Sequence, residues 1–269
     1  MHDDPAAAGS RAVADGPDPT PGARAVPDTR PHGPDGATPG AGTALGPGDA
    51  VPRRPFADRR DAGRALGKPL ARRPLTAPLV LGLARGGVVV AAEVARFLGA
   101  PLDVLVVRKL GLPGQPELAM GAIAAVGDAV EAVLVESVLV AAGVGEQAFE
   151  KVCRDELREL RRREAAYRGD RVPVSLAGRD VVLVDDGLAT GATMRAAVVA
   201  VRSGLPARVT VAVPVGAPRA RDGLAALVDD VVCLVAPTSF RAVGQAYGDF
   251  AQTSDDEVRA TLDDARHRV

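Results

Sequence analysis

The chain of 269 residues is poor in the side chains that carry much nucleophilic, redox and metal chemistry: it has three histidines, two cysteines and no tryptophan. His2, His32 and His267 all lie toward the ends, which argues against a Ser-His-Asp centre, a Cys-His dyad or a histidine-ligated zinc. Cys153 and Cys233 follow no metal-ligand spacing, so no thiolate cluster is expected, and two unpatterned thiols suit a reducing cytoplasm. Long apolar runs are missing as well. None approaches the roughly 18 consecutive residues of a membrane span, and the amino-terminal region has no apolar core like that of a signal peptide. A formal net charge of -1 gives no global attraction to nucleic acid. The most basic stretch, Arg154 to Arg171, is interleaved with Phe149, Cys153, Leu157, Leu160 and Tyr167 at helical spacing, as expected for the solvated face of an amphipathic helix. A Walker A motif is absent, because Gly63 to Lys68 is one spacer short and runs into Pro69. Gly82 to Gly87 has its glycines at the wrong offsets for a dinucleotide fingerprint.

What the chain does contain is unevenly spread. Eleven of its 22 prolines precede Phe56, the first aromatic residue. Residues 1–55 hold one leucine, no isoleucine and repeated runs of Pro, Gly, Ala and Asp, too little apolar surface to offset the entropy of ordering. They are expected to form a disordered tail, with one folded domain over residues 56–269.

The most informative stretch of that domain is Val181 to Thr193, V-V-L-V-D-D-G-L-A-T-G-A-T. Its four apolar residues predict a strand covered on both faces in a parallel sheet. Asp185 and Asp186 follow at the carboxyl end, where open α/β sheets bind their ligands. Gly187 and Gly191 allow a tight turn. Backbone N–H groups from Leu188, Ala189, Thr190, Gly191, Ala192 and Thr193, with two threonine hydroxyls, can then converge on an anion at the start of a helix over about Thr193 to Ser203. Asp-Asp-Gly alone is ordinary turn chemistry; the added A-T-G-A-T behind a buried strand points to a bound sugar phosphate.

Two further segments have the same strand-then-loop form. Pro78 to Leu83, P-L-V-L-G-L, runs through A-R-G-G into a helical pattern from Val88 to Leu98. Arg85 offers a fork of donors, and Gly86 and Gly87 let backbone approach a phosphoryl group beside a helix N-terminus. Leu102 to Val107 form another strand ending in Arg108 and Lys109 before G-L-P-G-Q-P-E-L. The glycines and prolines there predict a mobile loop, Lys109 to Leu118.

These three segments together resemble the type I phosphoribosyltransferases, whose phosphoribosyl diphosphate (PRPP) motif has four apolar residues, two acids and a loop ending T-G-x-T. The run R-K-L-G-L-P-G-Q-P-E-L-A-M-G-A-I-A and the later V-G-Q-A-Y-G-D-F-A-Q-T-S-D-D-E-V are similar to a subgroup described only as predicted phosphoribosyltransferases. The resemblance spans about Phe56 to Val258.

It implies a pentosyl glycosyltransferase of nucleotide metabolism that uses Mg2+, moves the 5-phosphoribosyl group from PRPP to a nitrogenous acceptor, and releases pyrophosphate. Asp185 and Asp186 would then hold the ribose hydroxyls and help order magnesium, in part through water. The Gly187 to Thr193 loop would hold the 5'-phosphate. Arg85, Gly86, Gly87, Arg108 and Lys109 would stabilise pyrophosphate, and a cis peptide is expected next to Arg85. Phe240 and Tyr247, in a hood over about residues 236–254, are candidates for contacting the acceptor. Relatives acting on hypoxanthine and guanine carry a carboxylate where this chain has Ala189, which argues against a 6-oxopurine. A homodimer is compatible with the resemblance. The alternative is a PRPP- or nucleotide-sensing regulator without turnover.

The remaining pattern completes an α/β reading: a doubly wound, mainly parallel sheet flanked by helices. Helices are expected at Asp58 to Leu70, Gly145 to Arg168 and Pro218 to Leu227. Strand or hairpin pieces are expected at Gly121 to Val126 and Ala132 to Glu136, and strands at Arg208 to Val213 and Asp230 to Leu234.

Overall fold

The computed structural model describes residues 55–126, 129–169 and 172–267, with a short strand at 23–25. In chain order its elements are β1 (Ala23–Ala25), α1 (Arg59–Leu70), β2 (Leu79–Leu83), α2 (Gly86–Leu98), β3 (Leu102–Leu105), β4 (Val107–Leu112), β5 (Gln115–Val126) and β6 (Ala129–Leu134). There follow α3 (Glu136–Ala142), α4 (Glu146–Arg168), β7 (Asp180–Val184), α5 (Ala192–Ser203), β8 (Arg208–Val215), α6 (Pro218–Ala225), β9 (Asp230–Val235), a 3-10 turn at Val243–Ala246 and α7 (Asp255–Arg266).

The expected parallel sheet is present, with strand order β3-β2-β7-β8-β9 and every neighbouring pair parallel. Its two covered faces follow from strand alternation. Leu79, Leu81, Leu83, Val181, Leu183, Val209, Val211 and Val213 pack with Met194, Ala197, Val198 and Val201 of α5. Val80, Val182, Val184, Ala212 and Val232 point the other way, against Leu66 and Leu70 of α1 and Val90, Ala91 and Val94 of α2. Every residue of β2 and β7 is buried, at about 1.5–3 kcal/mol of transfer energy for each large aliphatic side chain. Removing one, as in Leu183→Ala, costs about 2–5 kcal/mol.

The strand or hairpin pieces expected at Gly121 to Val126 and Ala132 to Glu136 form the β5–β6 pair, but their union with β4 and β1 into a second sheet, of order β1-β6-β5-β4, was not foreseen. Its strands β4, β5 and β6 are antiparallel neighbours. One face packs Leu110, Met120, Ile123 and Ala125 on Leu160 and Tyr167 of α4 and Val258 and Leu262 of α7. This corrects the expected loop: Lys109 to Leu118 lies in the β4–β5 hairpin. Pro113 and Gly114 are its two turn residues, and Gly114 takes φ 80°, the positive φ that Gly supplies in a type II turn after Pro. Gly111 pairs with Ala119 while Leu112 pairs with Gln115. Pro116 therefore falls in a bulge, where no ladder hydrogen bond is asked of it.

Other boundaries move less. Ala132 to Glu136 was expected as a strand; β6 occupies Ala129–Leu134 and Glu136 instead opens α3. The helix α7 was not anticipated, although Ser254 caps it by accepting from Glu257 N at 3.1 Å. The expected disordered tail lies outside the described residues except for Pro55 and Ala23–Ala25, the latter pairing in parallel with Ala132, Val133 and Leu134. The edge of β6 that faces away from β5 is taken by this segment; left open, such an edge offers backbone groups to any extended chain. The basic stretch on α4 is matched on its own helix, with Arg154, Arg158, Arg162 and Arg163 paired to Glu150, Asp155 and Glu159. Among the described residues no helix is long and apolar enough to cross a membrane.

Candidate active site

From β2 the chain steps to β3 on one side, while β7 lies on the other. This reversal makes a switch point, and the crevice beyond the carboxyl ends of β2 and β7 is where such sheets bind ligands. Gly82 and Val184 are register partners there, so segments 84–87 and 185–187 leave the sheet side by side. The Ala84–Arg85 peptide is cis, as expected. α2 begins at Gly86 and α5 at Ala192, and neither has a side-chain cap. Two helix N-termini thus open near one crevice, each favouring negative charge, although Val88 N donates to Arg85 O at 3.2 Å and Ala192 N to Thr190 Oγ1 at 3.4 Å. Gly191 sits at the start of α5 with φ 79°, a conformation open to glycine at no steric cost.

Asp185 and Asp186 stand between these ends. Asp185 Oδ1 accepts from Asp186 N at 2.9 Å, and Asp186 Oδ2 accepts from Arg59 Nε at 2.9 Å. Both keep some surface toward the crevice, yet the surrounding protein desolvates them. Burial pushes the Asp185 carboxyl well above the ordinary carboxylate range, and the neighbouring Asp186 charge adds to this. Burial also raises Asp186, against the lowering effect of Arg59. A Cβ on Gly86 would lie 2.0 Å from Asp186 Oδ2, and one on Gly87 2.7 Å from Val184 O and 2.9 Å from Asp185 Cα. The A-R-G-G loop can therefore approach the acids only as glycine.

Within the 187–193 loop the residues divide. Leu188 is buried; its N–H donates to Val215 O at 2.9 Å, and its own carbonyl accepts from Ala217 N at 2.8 Å. This corrects the expectation that Leu188 gives a phosphate donor: it anchors the loop to β8. Ala189 and Thr190 are exposed, and among the described residues nothing accepts from the N–H groups of Ala189, Thr190 or Gly191. Gly187 lies against Val243, whose Cγ1 would be 2.3 Å from a Cβ there.

The expected cations are less concentrated. Arg85 makes a loose pair with Asp255 Oδ1 at 3.5 Å. Arg108 binds Glu156 of α4 through Nε and Nη2, at 2.7 and 2.6 Å. Lys109 is exposed on the next residue of β4, hence on the opposite face of the hairpin, so the two do not act as adjacent forks. Tyr247 also departs from expectation. It is buried between Phe56 and Phe250, with ring centroids at 5.7 and 4.9 Å, and its hydroxyl donates to Asp186 O. Burial and the Asp186 charge push its phenol upward. It braces the acidic loop and offers no free ring face to an acceptor. Phe240 packs, partly buried, on the same cluster.

Sequence reasoning missed Arg59, which reaches Asp186 from the start of α1. It also missed Phe250 beneath that guanidinium, 4.0 Å from centroid to Cζ, and Glu156 and Asp255 as partners of the expected cations. Phe250 lay within the quoted V-G-Q-A-Y-G-D-F run, so a signal existed; Arg59 had none beyond a helix start.

The acids also bear on magnesium. Among the described residues no three His, Cys, Asp or Glu side chains gather into a metal cage. Two carboxylates at an open crevice fit an ion that takes most of its oxygens from substrate and water, as magnesium commonly does.

The comparisons agree with this geometry. Residues 61–249 match the family model described as "phosphoribosyl transferase domain". Proteins from two strains of Mycobacterium tuberculosis, CDC 1551 / Oshkosh and H37Rv, both named "putative phosphoribosyl transferase", are 51% identical over 213 residues, 79% of this chain and 47% of theirs. The chain thus spans about half the length of these curated relatives. The crystal structure of a protein from Thermus thermophilus has 48% identity and a TM-score of 0.67, covering 77% of this chain and 97% of that one. With the motif, the fold and these matches in agreement, the chain belongs to the type I phosphoribosyltransferase family.

Proposed function

We propose that this protein transfers the 5-phosphoribosyl group from PRPP to a nitrogenous acceptor, a nucleobase, with release of pyrophosphate. The observation that carries this reading is the acidic pair at the switch point, flanked by two uncapped helix N-termini. Asp185 and Asp186 accept hydrogen bonds from the ribose hydroxyls. N–H groups of Ala189 to Thr193, with the Thr190 and Thr193 hydroxyls, hold the 5'-phosphate. Arg85, the N-terminus of α2 at Gly86 and Gly87, and Lys109 meet the charge that grows on departing pyrophosphate, while Arg108 stays bound to Glu156 on the other face of the hairpin. The acids would also help order magnesium, whose charge would offset that of the substrate's phosphoryl oxygens. Residues 56–269 form the transferase domain, with residues 236–254 as its hood, acting in the cytoplasm. Ala189 leaves the loop without a carboxylate to assist a 6-oxopurine.

The test is pyrophosphate release from PRPP and magnesium with a panel of bases, alongside calorimetry. Asp185→Asn with Asp186→Asn should weaken PRPP binding at least about 10-fold, or about 1.4 kcal/mol. Unchanged affinity in that double variant overturns the assignment. Tight magnesium-dependent PRPP binding with no turnover on any base favours a PRPP-sensing regulator instead.

A further inference from the structure

We propose that Arg59 is a positioning residue for Asp186, an inference that rests on the ribose-binding reading above. Its guanidinium is held at both ends: Nε donates to Asp186 Oδ2 at 2.9 Å and Nη1 donates to Ala251 O at 2.7 Å. The Arg59 and Asp186 side chains are only 12% and 17% exposed. One face of Phe250 lies against this guanidinium, and the ring stacks on Tyr247 at 4.9 Å. The Tyr247 hydroxyl returns to the Asp186 carbonyl. A closed ring of contacts therefore grips Asp186 by side chain and main chain at once.

The grip selects one oxygen. Among the described residues Asp186 Oδ2 is hydrogen-bonded and Oδ1 is not, which leaves Oδ1 to accept from a sugar hydroxyl. Arg59 is itself fixed by the start of α1, where Asp58 accepts from Asp61 N at 2.7 Å and Asp61 Oδ2 from Ala57 N at 3.1 Å. The hood is stitched to the same segment, since Gly248 N and Asp249 N donate to Phe56 O and Ala57 O, both at 2.8 Å. Arg59, Phe250 and Ala251 lie just outside residues 61–249, the part matching the family model, so this device belongs to the flanks of the domain. A planar fork with two fixed partners orients a carboxylate in a way that a lone ammonium does not.

Arg59→Gln and Arg59→Lys, each with thermal melting, test this through magnesium-dependent binding of PRPP, ribose 5-phosphate and inorganic pyrophosphate. Arg59→Gln should weaken PRPP and ribose 5-phosphate about 10-fold and leave pyrophosphate within about twofold. Arg59→Lys, keeping the charge but not the fork, should recover part of the loss. Equal losses for all three ligands, or losses in both variants that track the fall in melting temperature, reduce Arg59 to a structural residue and overturn the proposal. Tighter PRPP binding by Arg59→Gln makes it a competitor for the carboxylate and overturns it as well. Parent protein that binds no PRPP rejects the reading of the site itself; parent that binds PRPP with Arg59→Gln unchanged rejects only the role of Arg59.

Discussion

Replacing Gly87 with alanine tests how closely α2 and β7 must approach for the site to exist. A Cβ there would sit 2.7 Å from Val184 O, 2.9 Å from Asp185 Cα and 2.9 Å from Asp185 Oδ1, against carbon contacts of about 3.5–4.0 Å at optimum. Two effects oppose each other. Alanine in a helix is favoured over glycine by at most about 1 kcal/mol. Against this, two of the three crowded atoms are backbone at the end of β7, a strand held between β2 and β8, and cannot rotate away. Overpacking of that kind costs about 1–3 kcal/mol, so sterics win and a net loss of about 1–2 kcal/mol is expected. In urea, with a slope of about 2 kcal/mol per molar, the midpoint should fall by roughly 0.5–1 M. Gly86→Ala is the companion. Its Cβ would meet Asp186 Oδ2 at 2.0 Å and Arg59 Nε at 2.8 Å, the two atoms of the Arg59–Asp186 ion pair, so that pair must open to admit it. A loss of about 1–3 kcal/mol is expected, together with a fall in PRPP affinity of at least about 10-fold as the carboxylate is displaced. A Gly87→Ala protein as stable as its parent would refute the reasoning, as would a Gly86→Ala protein that loses stability but not PRPP.

Three further outcomes are expected. Because burial raises the folded-state pKa of Asp185 above its unfolded value, its contribution to stability is present below the unfolded pKa of about 3.9 and lost as pH rises through the raised value; Asp185→Asn should therefore stabilise the ligand-free protein at pH 7, on the order of 1–3 kcal/mol, with the gain vanishing in acid, and melting curves across pH would show it. Lys109→Ala should slow single-turnover chemistry more than it weakens PRPP binding, because a group meeting departing pyrophosphate acts in the transition state; normal turnover with weakened binding would demote Lys109 to a binding group. Deleting residues 1–51 removes the pairing of Ala23–Ala25 with β6 and should shift the melting temperature by less than about 2 °C, whereas a drop of several degrees would make the segment part of the fold.

How much of this was legible in the sequence depended on whether the cause was local. β2 and β7 were legible because a strand buried on both faces must be apolar throughout, and Leu79–Leu83 and Val181–Val184 are. The acids and the A-R-G-G loop were legible because turns with special backbone needs name their own residues: Gly86 and Gly87 have no room for a Cβ. The hairpin was misread for the same kind of reason. Gly111, Pro113, Gly114 and Pro116 break regular ladders, but a turn and a bulge absorb all four within a β-ribbon, and local composition cannot distinguish a ribbon with a bulge from a loop.

What stayed hidden is what depends on distant partners. Arg59 reads as an ordinary first-turn residue of a helix, and only the fold brings it to Asp186, 127 residues away. Tyr247 carried a signal whose sign was misjudged. An aromatic in a predicted hood suggests a stacking face, but its ring is enclosed by Phe56 and Phe250 and its hydroxyl is committed to the Asp186 carbonyl. A tyrosine buried on both faces with its one polar atom already paired is a brace. Phe250 stacks on Tyr247 and carries the Arg59 guanidinium against its ring, while keeping 36% of its surface exposed. Phe240 packs, partly buried, on the same cluster as Tyr247, so the aromatics that composition alone suggests as stacking faces are joined, through the Tyr247 hydroxyl, to the main chain of Asp186.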